Sequence, residues 1–130
     1  MARDDAHRYR ILVVEDEENI AVALHYLIMR EGYGHDRIAN GAAALERIRE
    51  TRPDLVLLDV MLPEMSGYEI CQSVRLDPAL ADVKILMMTA RGSSIEQKKG
   101  LALGADGFIS KPFELKTLRQ EIRRLLGLEG

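Results

Sequence analysis

Asp54-Leu55-Val56-Leu57-Leu58-Asp59-Val60-Met61-Leu62-Pro63-Glu64-Met65-Ser66-Gly67 is the stretch that decides the fold. Leu55 to Leu58 is an unbroken apolar run, too short to span a membrane and suited to a strand buried on both faces. Such strands belong to parallel sheets. The run stops on a carboxylate, Asp59, and Pro63 and Gly67 then break the pattern before a new helix starts. A carboxylate at the carboxyl end of a buried parallel strand lies where open α/β sheets hold their ligands. Asp59 could equally cap a helix or turn, so the other strand ends have to decide.

Working outward, the first strand is Tyr9-Arg10-Ile11-Leu12-Val13-Val14, and it too stops on acids, Glu15 and Asp16. Ile20, Leu24, Leu27 and Ile28 recur at helical spacing behind it. Glu17 and Glu18 read as first-turn acids that complement the helix dipole, and Asp16 as more than a cap. Gly32 and Gly34 end this helix. A short strand around Arg37-Ile38-Ala39 leads through Asn40-Gly41 into a helix carrying Leu45 and Ile48, with Arg47, Arg49 and Glu50 on a solvated face. After Gly67 comes a helix with Ile70, Cys71 and Val74, closed by Asp77-Pro78. Val83-Lys84-Ile85-Leu86-Met87-Met88 is a further strand, ending on Thr89-Ala90 and the polar loop Arg91-Gly92-Ser93-Ser94. Residues 95–103 form a weaker helix whose apolar face is diluted by Lys98, Lys99 and Gly100, the element expected to move. Phe108-Ile109-Ser110 is the last strand, ending on Lys111-Pro112. The final helix carries Leu115, Leu118, Ile122 and Leu125 on one stripe.

Five alternations of strand and helix predict a parallel sheet with helices on both faces and right-handed crossovers. All strand carboxyl ends then share one edge, gathering Glu15, Asp16, Asp59, Thr89 and Lys111. Carboxylates that close repel unless a cation joins them. A hard ion such as Mg²⁺ suits carboxylates, a backbone carbonyl and water. Metal, ammonium and hydroxyl around one carboxylate fit phosphoryl transfer onto it.

Composition narrows the field. The 130 residues, 47% of them hydrophobic, make one domain with a sizeable core. With 18 Lys and Arg against 21 Asp and Glu, a net charge of −3 and no basic stretch interleaved with aromatics, nucleic-acid binding by this domain is not expected. The single Cys71 excludes an internal disulfide and a multi-cysteine metal site. There is no long apolar run and no signal-like N-terminus, so a cytoplasmic protein without membrane contact is expected. His7, His25 and His35 read as surface or packing residues.

The ordered set Glu15-Asp16, Asp59-Val60-Met61-Leu62-Pro63 with Gly67, Thr89-Ala90, Gly104-Ala105-Asp106 and Lys111-Pro112-Phe113 resembles the receiver domain of two-component response regulators over residues 10–126. The resemblance implies the flavodoxin-like strand order 2-1-3-4-5 and a single receiver domain over 1–130. It implies that Asp59 is the phosphoacceptor, taking phosphate from a sensor histidine kinase or phosphotransfer protein. Mg²⁺ would be held by Asp16 and Asp59, by the Met61 backbone carbonyl and by Glu15 through water. Thr89 would bond a phosphoryl oxygen and Lys111 would pair with the phosphate. Phe108 would be the aromatic switch that turns inward when Thr89 moves. The Lys111–Pro112 peptide would be cis, as only an X-Pro bond can be at modest cost.

The expected protein is thus a phosphoacceptor, not an enzyme beyond assisting its own phosphorylation and dephosphorylation. Phosphorylation would repack residues 92–103 with Phe108 and change the surface of the fourth helix, fifth strand and last helix for an output domain, a downstream protein or a phosphorylation-dependent homodimer. No output domain is read after Leu126, so a free-standing receiver and an excised one are both compatible. Two rival classes remain at this point. A Mg²⁺-dependent aspartyl phosphatase would want a second acid two residues past Asp59, where Met61 stands. A phosphate-independent pseudo-receiver would have no need of the full charged set. Met61 and Arg91, two residues past Asp59 and Thr89, are placed to guide or block hydrolytic water, and an apolar Met61 is expected to shield Asp59.

Overall fold

The structure, a computed structural model, describes residues 9–90 and 94–128; the polar lead-in with His7, and Arg91, Gly92 and Ser93, lie outside the described residues. In chain order the elements are β1 (Arg10–Val14), α1 (Glu18–Arg30), β2 (Gly34–Ile38), α2 (Gly41–Thr51), β3 (Leu55–Asp59), α3 (Gly67–Arg75), β4 (Lys84–Thr89), α4 (Ser94–Ala102), β5 (Gly107–Ser110) and α5 (Leu115–Leu125). The strands form one parallel sheet in the order β2-β1-β3-β4-β5. The expected order is therefore the observed one.

Side chains alternate across a strand, and here they feed two cores. Leu12, Val14, Val56, Leu58, Ile85 and Met87 pack with Ala44, Ile48, Ile70 and Val74 of α2 and α3. Ile11, Val13, Leu55, Leu57, Leu86 and Met88 pack with Leu24, Leu27 and Ile28 of α1 and Leu118, Ile122 and Leu125 of α5. β3 is buried along its whole length because both faces are covered. Each fully buried leucine there contributes about 2 kcal/mol relative to exposure.

Local chemistry sets the helix starts. The Asn40 side chain accepts from the Ala43 amide. Ser66 and Glu69 form a capping box at α3, each side chain bonded to the other's backbone N–H. Asp77 caps a single 3-10 turn, Pro78–Leu80, by accepting from Ala79. α3 itself ends at Arg75, before the expected Asp77-Pro78 stop, because that pair serves the following turn.

One sequence expectation needs correction. β2 runs Gly34–Ile38, starting earlier than Arg37 and excluding Ala39. Its polar side chains carry no strand pattern, and its extended form follows from pairing with β1, Arg10 opposite Gly34 through Val14 opposite Ile38. Gly100 brings no apolar side chain to α4, as expected, but it has a steric role that the sequence does not show. It is the buried point of that helix, and a Cβ there would sit 2.9 Å from Met87 Sδ and 3.2 Å from the Phe108 ring.

Candidate functional site

The carboxyl ends of β1, β3, β4 and β5 converge as the sheet order requires. Glu15 follows β1 directly, its amide bonded to Ile38 O at 3.2 Å, so that the first acid extends the β1–β2 pairing. Arg37 at the end of β2 donates through Nε and Nη2 to Glu15 O at 3.1 and 2.9 Å, and through Nη1 to Glu18 at 3.0 Å. α1 is capped at Glu17 without a side-chain bond, which leaves Asp16 outside any cap. One carboxylate oxygen each of Glu15, Asp16 and Asp59 lie within 4.8 Å of one another. Glu15 and Asp59 are buried and Asp16 is exposed.

Lys111 completes this group from β5. Its ammonium is 3.0 Å from Glu15 Oε1 and 3.3 Å from Asp59 Oδ1. Its own amide bonds Thr89 O at 2.6 Å, which ties the ends of β4 and β5 together, and the Lys111–Pro112 peptide is cis. Asp59 Oδ1 also accepts from the Met61 amide at 3.2 Å. Thr89, buried, ends β4 next to β3, where Met88 is the register partner of Asp59.

Burial pushes the Glu15 carboxyl above its ordinary range; Lys111 draws it back and Asp59 adds to the rise. For Lys111 burial acts downward, but the bond to Glu15 and the charge of Asp59 outweigh it, and the ammonium is held more firmly than a free lysine. Glu15 Oε1 is buried, with the Lys111 ammonium 3.0 Å away as its charge partner. A buried, acceptor-only oxygen beside two further carboxylates is a donor set suited to a hard divalent cation.

Among the other predicted residues, Met61 is 70% exposed, so only its backbone belongs to the cluster. Phe108 is half-buried on β5 opposite Met87 and packs beside Gly100. Cys71 is wholly buried, and burial pushes its thiol up to about 11. His25 and His35 lie apart from the cluster and contact each other. Arg37 is a contributor that sequence reasoning missed, and Gly67, placed in the motif by the sequence, has a steric role that the sequence does not reveal. The first orients the acidic loop. The second lets α3 press on the end of β3, since a Cβ at Gly67 would meet Asp59 O at 2.4 Å. Arg37 had one legible signal, a cation at the end of a strand beside an acidic one.

The family model described as the response regulator receiver domain matches residues 11–123. The phosphate regulon transcriptional regulatory protein PhoB of Rhizobium meliloti is 43% identical over 90% of this chain and 52% of its own length. The DNA-binding response regulator MtrA of Mycobacterium tuberculosis is 43% identical over 94% of this chain and 52% of its own length. The chain thus spans about half the length of these relatives. Among solved structures, the receiver domain of the Pseudomonas aeruginosa sensor histidine kinase PA1611, with a magnesium ion coordinated in its active-site cleft, superimposes with a TM-score of 0.84 at 26% identity, covering 92% of this chain and 98% of that one. Among the described residues no helix is long and apolar enough to cross a membrane.

Proposed function

Because this chain belongs to the response regulator receiver-domain family of two-component signalling, we propose that it accepts a phosphoryl group on Asp59 from the phosphohistidine of a sensor kinase or phosphotransfer protein. The observation that carries this reading is the Lys111 ammonium shared between the buried carboxylates of Glu15 and Asp59, with Asp16 beside them. The Met61 amide and Lys111 both address Asp59 Oδ1, so the attack is assigned to Oδ2. The O–P bond forms as the P–N bond to imidazole breaks, and the departing ring nitrogen takes up a proton. Lys111 then follows the new negative charge, and the Thr89 hydroxyl donates to a phosphoryl oxygen.

Asp16, Asp59, the Met61 carbonyl and, through water, Glu15 would hold Mg²⁺. When bound, that ion supplies neutralisation of phosphoryl charge. The close approach of the Glu15, Asp16 and Asp59 carboxylates supports this assignment. Asp59 is a phosphoacceptor assisting its own reaction, with the chain read as one receiver domain whose core spans 10–126. A drawn-in Thr89 leaves room beside β4 for Phe108 and residues 94–103 to repack, a population shift that alters the α4-β5-α5 surface toward an output domain, a downstream protein or a second copy. PhoB and MtrA are named as transcriptional and DNA-binding regulators, which supports transcription as the output of a longer protein carrying this domain.

Intact mass after incubation with Mg²⁺ and acetyl phosphate tests the reading. A labile gain of one phosphoryl group, absent without Mg²⁺ and in Asp59→Asn, is expected. No gain by a folded protein would point to a phosphate-independent interaction module, and sustained turnover of a phosphate ester to a phosphatase.

A further inference from the structure

We infer that Tyr68 ties α3 to α4 and holds α4 in its unphosphorylated position, giving Asp59 a second mechanical link to the switching helix besides Thr89 and Phe108. Only in its link to phosphorylation does this rest on the proposed function.

α4 is poorly anchored by apolar contacts. Gly100 is its one buried residue, while Ile95 and Leu101 are 76% and 45% exposed. A helix with so little buried apolar surface opens easily unless other contacts hold it. Two are supplied by one side chain of α3. The Tyr68 hydroxyl donates a hydrogen bond to Glu96 Oε1, and the Lys99 ammonium stands 4.3 Å from the centroid of the same ring. Glu96 and Lys99 are three apart and share one helix face, so a single ring engages that face at two points.

The other end of the tie is equally definite. Tyr68 follows Gly67, whose amide bonds Val60 O at 3.0 Å and whose missing Cβ allows the contact with Asp59 O. The Ser66–Glu69 capping box fixes the direction of that first turn. The ring packs half-buried against the core beneath α2 and α3. Motion of the segment that carries Asp59 is therefore delivered to Tyr68 with little slack. Burial, then the bond to Glu96, raises the phenol to about 12, so the hydroxyl stays a donor under all ordinary conditions.

Amide hydrogen exchange of α4, read by mass spectrometry, tests the tie. In the unphosphorylated protein, Tyr68→Phe and Glu96→Ala are expected to exchange α4 amides about fivefold to tenfold faster, the effect of one hydrogen bond. Glu96→Gln, which keeps a carbonyl acceptor, is expected to stay near the parent, and β1 and β3 amides should not change in any variant. Unaltered α4 exchange in Tyr68→Phe would overturn the inference, as would equal acceleration in β1 and β3. After phosphorylation, with occupancy read separately by intact mass, parent α4 exchange should rise to the Tyr68→Phe level and the variant should gain little. Equal acceleration in both proteins would sever the tie from the switch. If the parent takes up no phosphoryl group, the proposed function falls, while the unphosphorylated comparison still decides whether the tie exists.

Discussion

The imidazoles of His25 on α1 and His35 on β2 meet Nδ1 to Nδ1 at 2.8 Å, their ring centroids 4.3 Å apart. One nitrogen must donate and the other accept, which only a pair with at least one neutral ring can do. Burial first, then the charge of His25, lowers the pKa of His35, with Asp36 opposing and Arg37 reinforcing. Glu18 and Arg37, paired with each other, line the same recess.

Stability should therefore fall in mildly acid solution. Below the ordinary histidine value of 6.5 the unfolded chain binds protons that folded His35 resists, so the contribution is complete above that value and lost as pH drops through the lower folded one. Urea midpoints between pH 7.5 and 5, roughly the span of histidine titration, should decline for the parent and flatten in His35→Gln. Parallel profiles would assign the decline elsewhere.

Removing the shared cation should expose the repulsion it masks. Lys111→Met leaves Glu15 and Asp59 together without their ammonium, a loss of about 2 kcal/mol and hence several degrees in Tm. Added Mg²⁺ should restore more stability to this variant than to the parent, as thermal melts with and without the ion would show. An unchanged melting point would mean that Glu15 simply protonates.

Gly67→Ala should be costly out of proportion to one methyl group. Its Cβ would meet Asp59 O at 2.4 Å and Val60 Cα at 2.9 Å, both backbone atoms without freedom to rotate away. A loss of about 2–3 kcal/mol is expected from overpacking, with slower phosphorylation as Asp59 is displaced. Denaturant unfolding and the rate of mass gain read the two effects.

Met61 is expected to set phosphoryl lifetime through a largely exposed side chain beside a buried carboxylate. Met61→Asn should hasten loss of the phosphoryl group several-fold by offering water a polar guide. Decay of the phosphorylated mass after removal of acetyl phosphate gives the rate, and equal decay would exclude shielding.

The parts of this structure that were legible in the sequence are those specified by neighbours in the chain. Asp59, Glu15 and Lys111 each follow a run of strand residues, so parallel pairing alone brings them to one edge. β2 was misplaced because Gly34-His35-Asp36-Arg37-Ile38 is made a strand by β1, not by its own pattern. Gly100, Arg37 and the Tyr68–Glu96 pair were opaque for a related reason. Their meaning lies in close approaches between elements far apart in the chain, and residue type gives no measure of those distances.

The two margins of the sheet have a bearing on crowding. β2 presents His35, Asp36 and Arg37 along one edge, and β5 on the other stops after four residues and runs into Pro112, which has no N–H to offer. A charged edge and a truncated one both discourage a foreign strand from adding to the ladder. A domain with margins of this kind can be concentrated, or tethered beside other folded units, without templating aggregation through its own sheet.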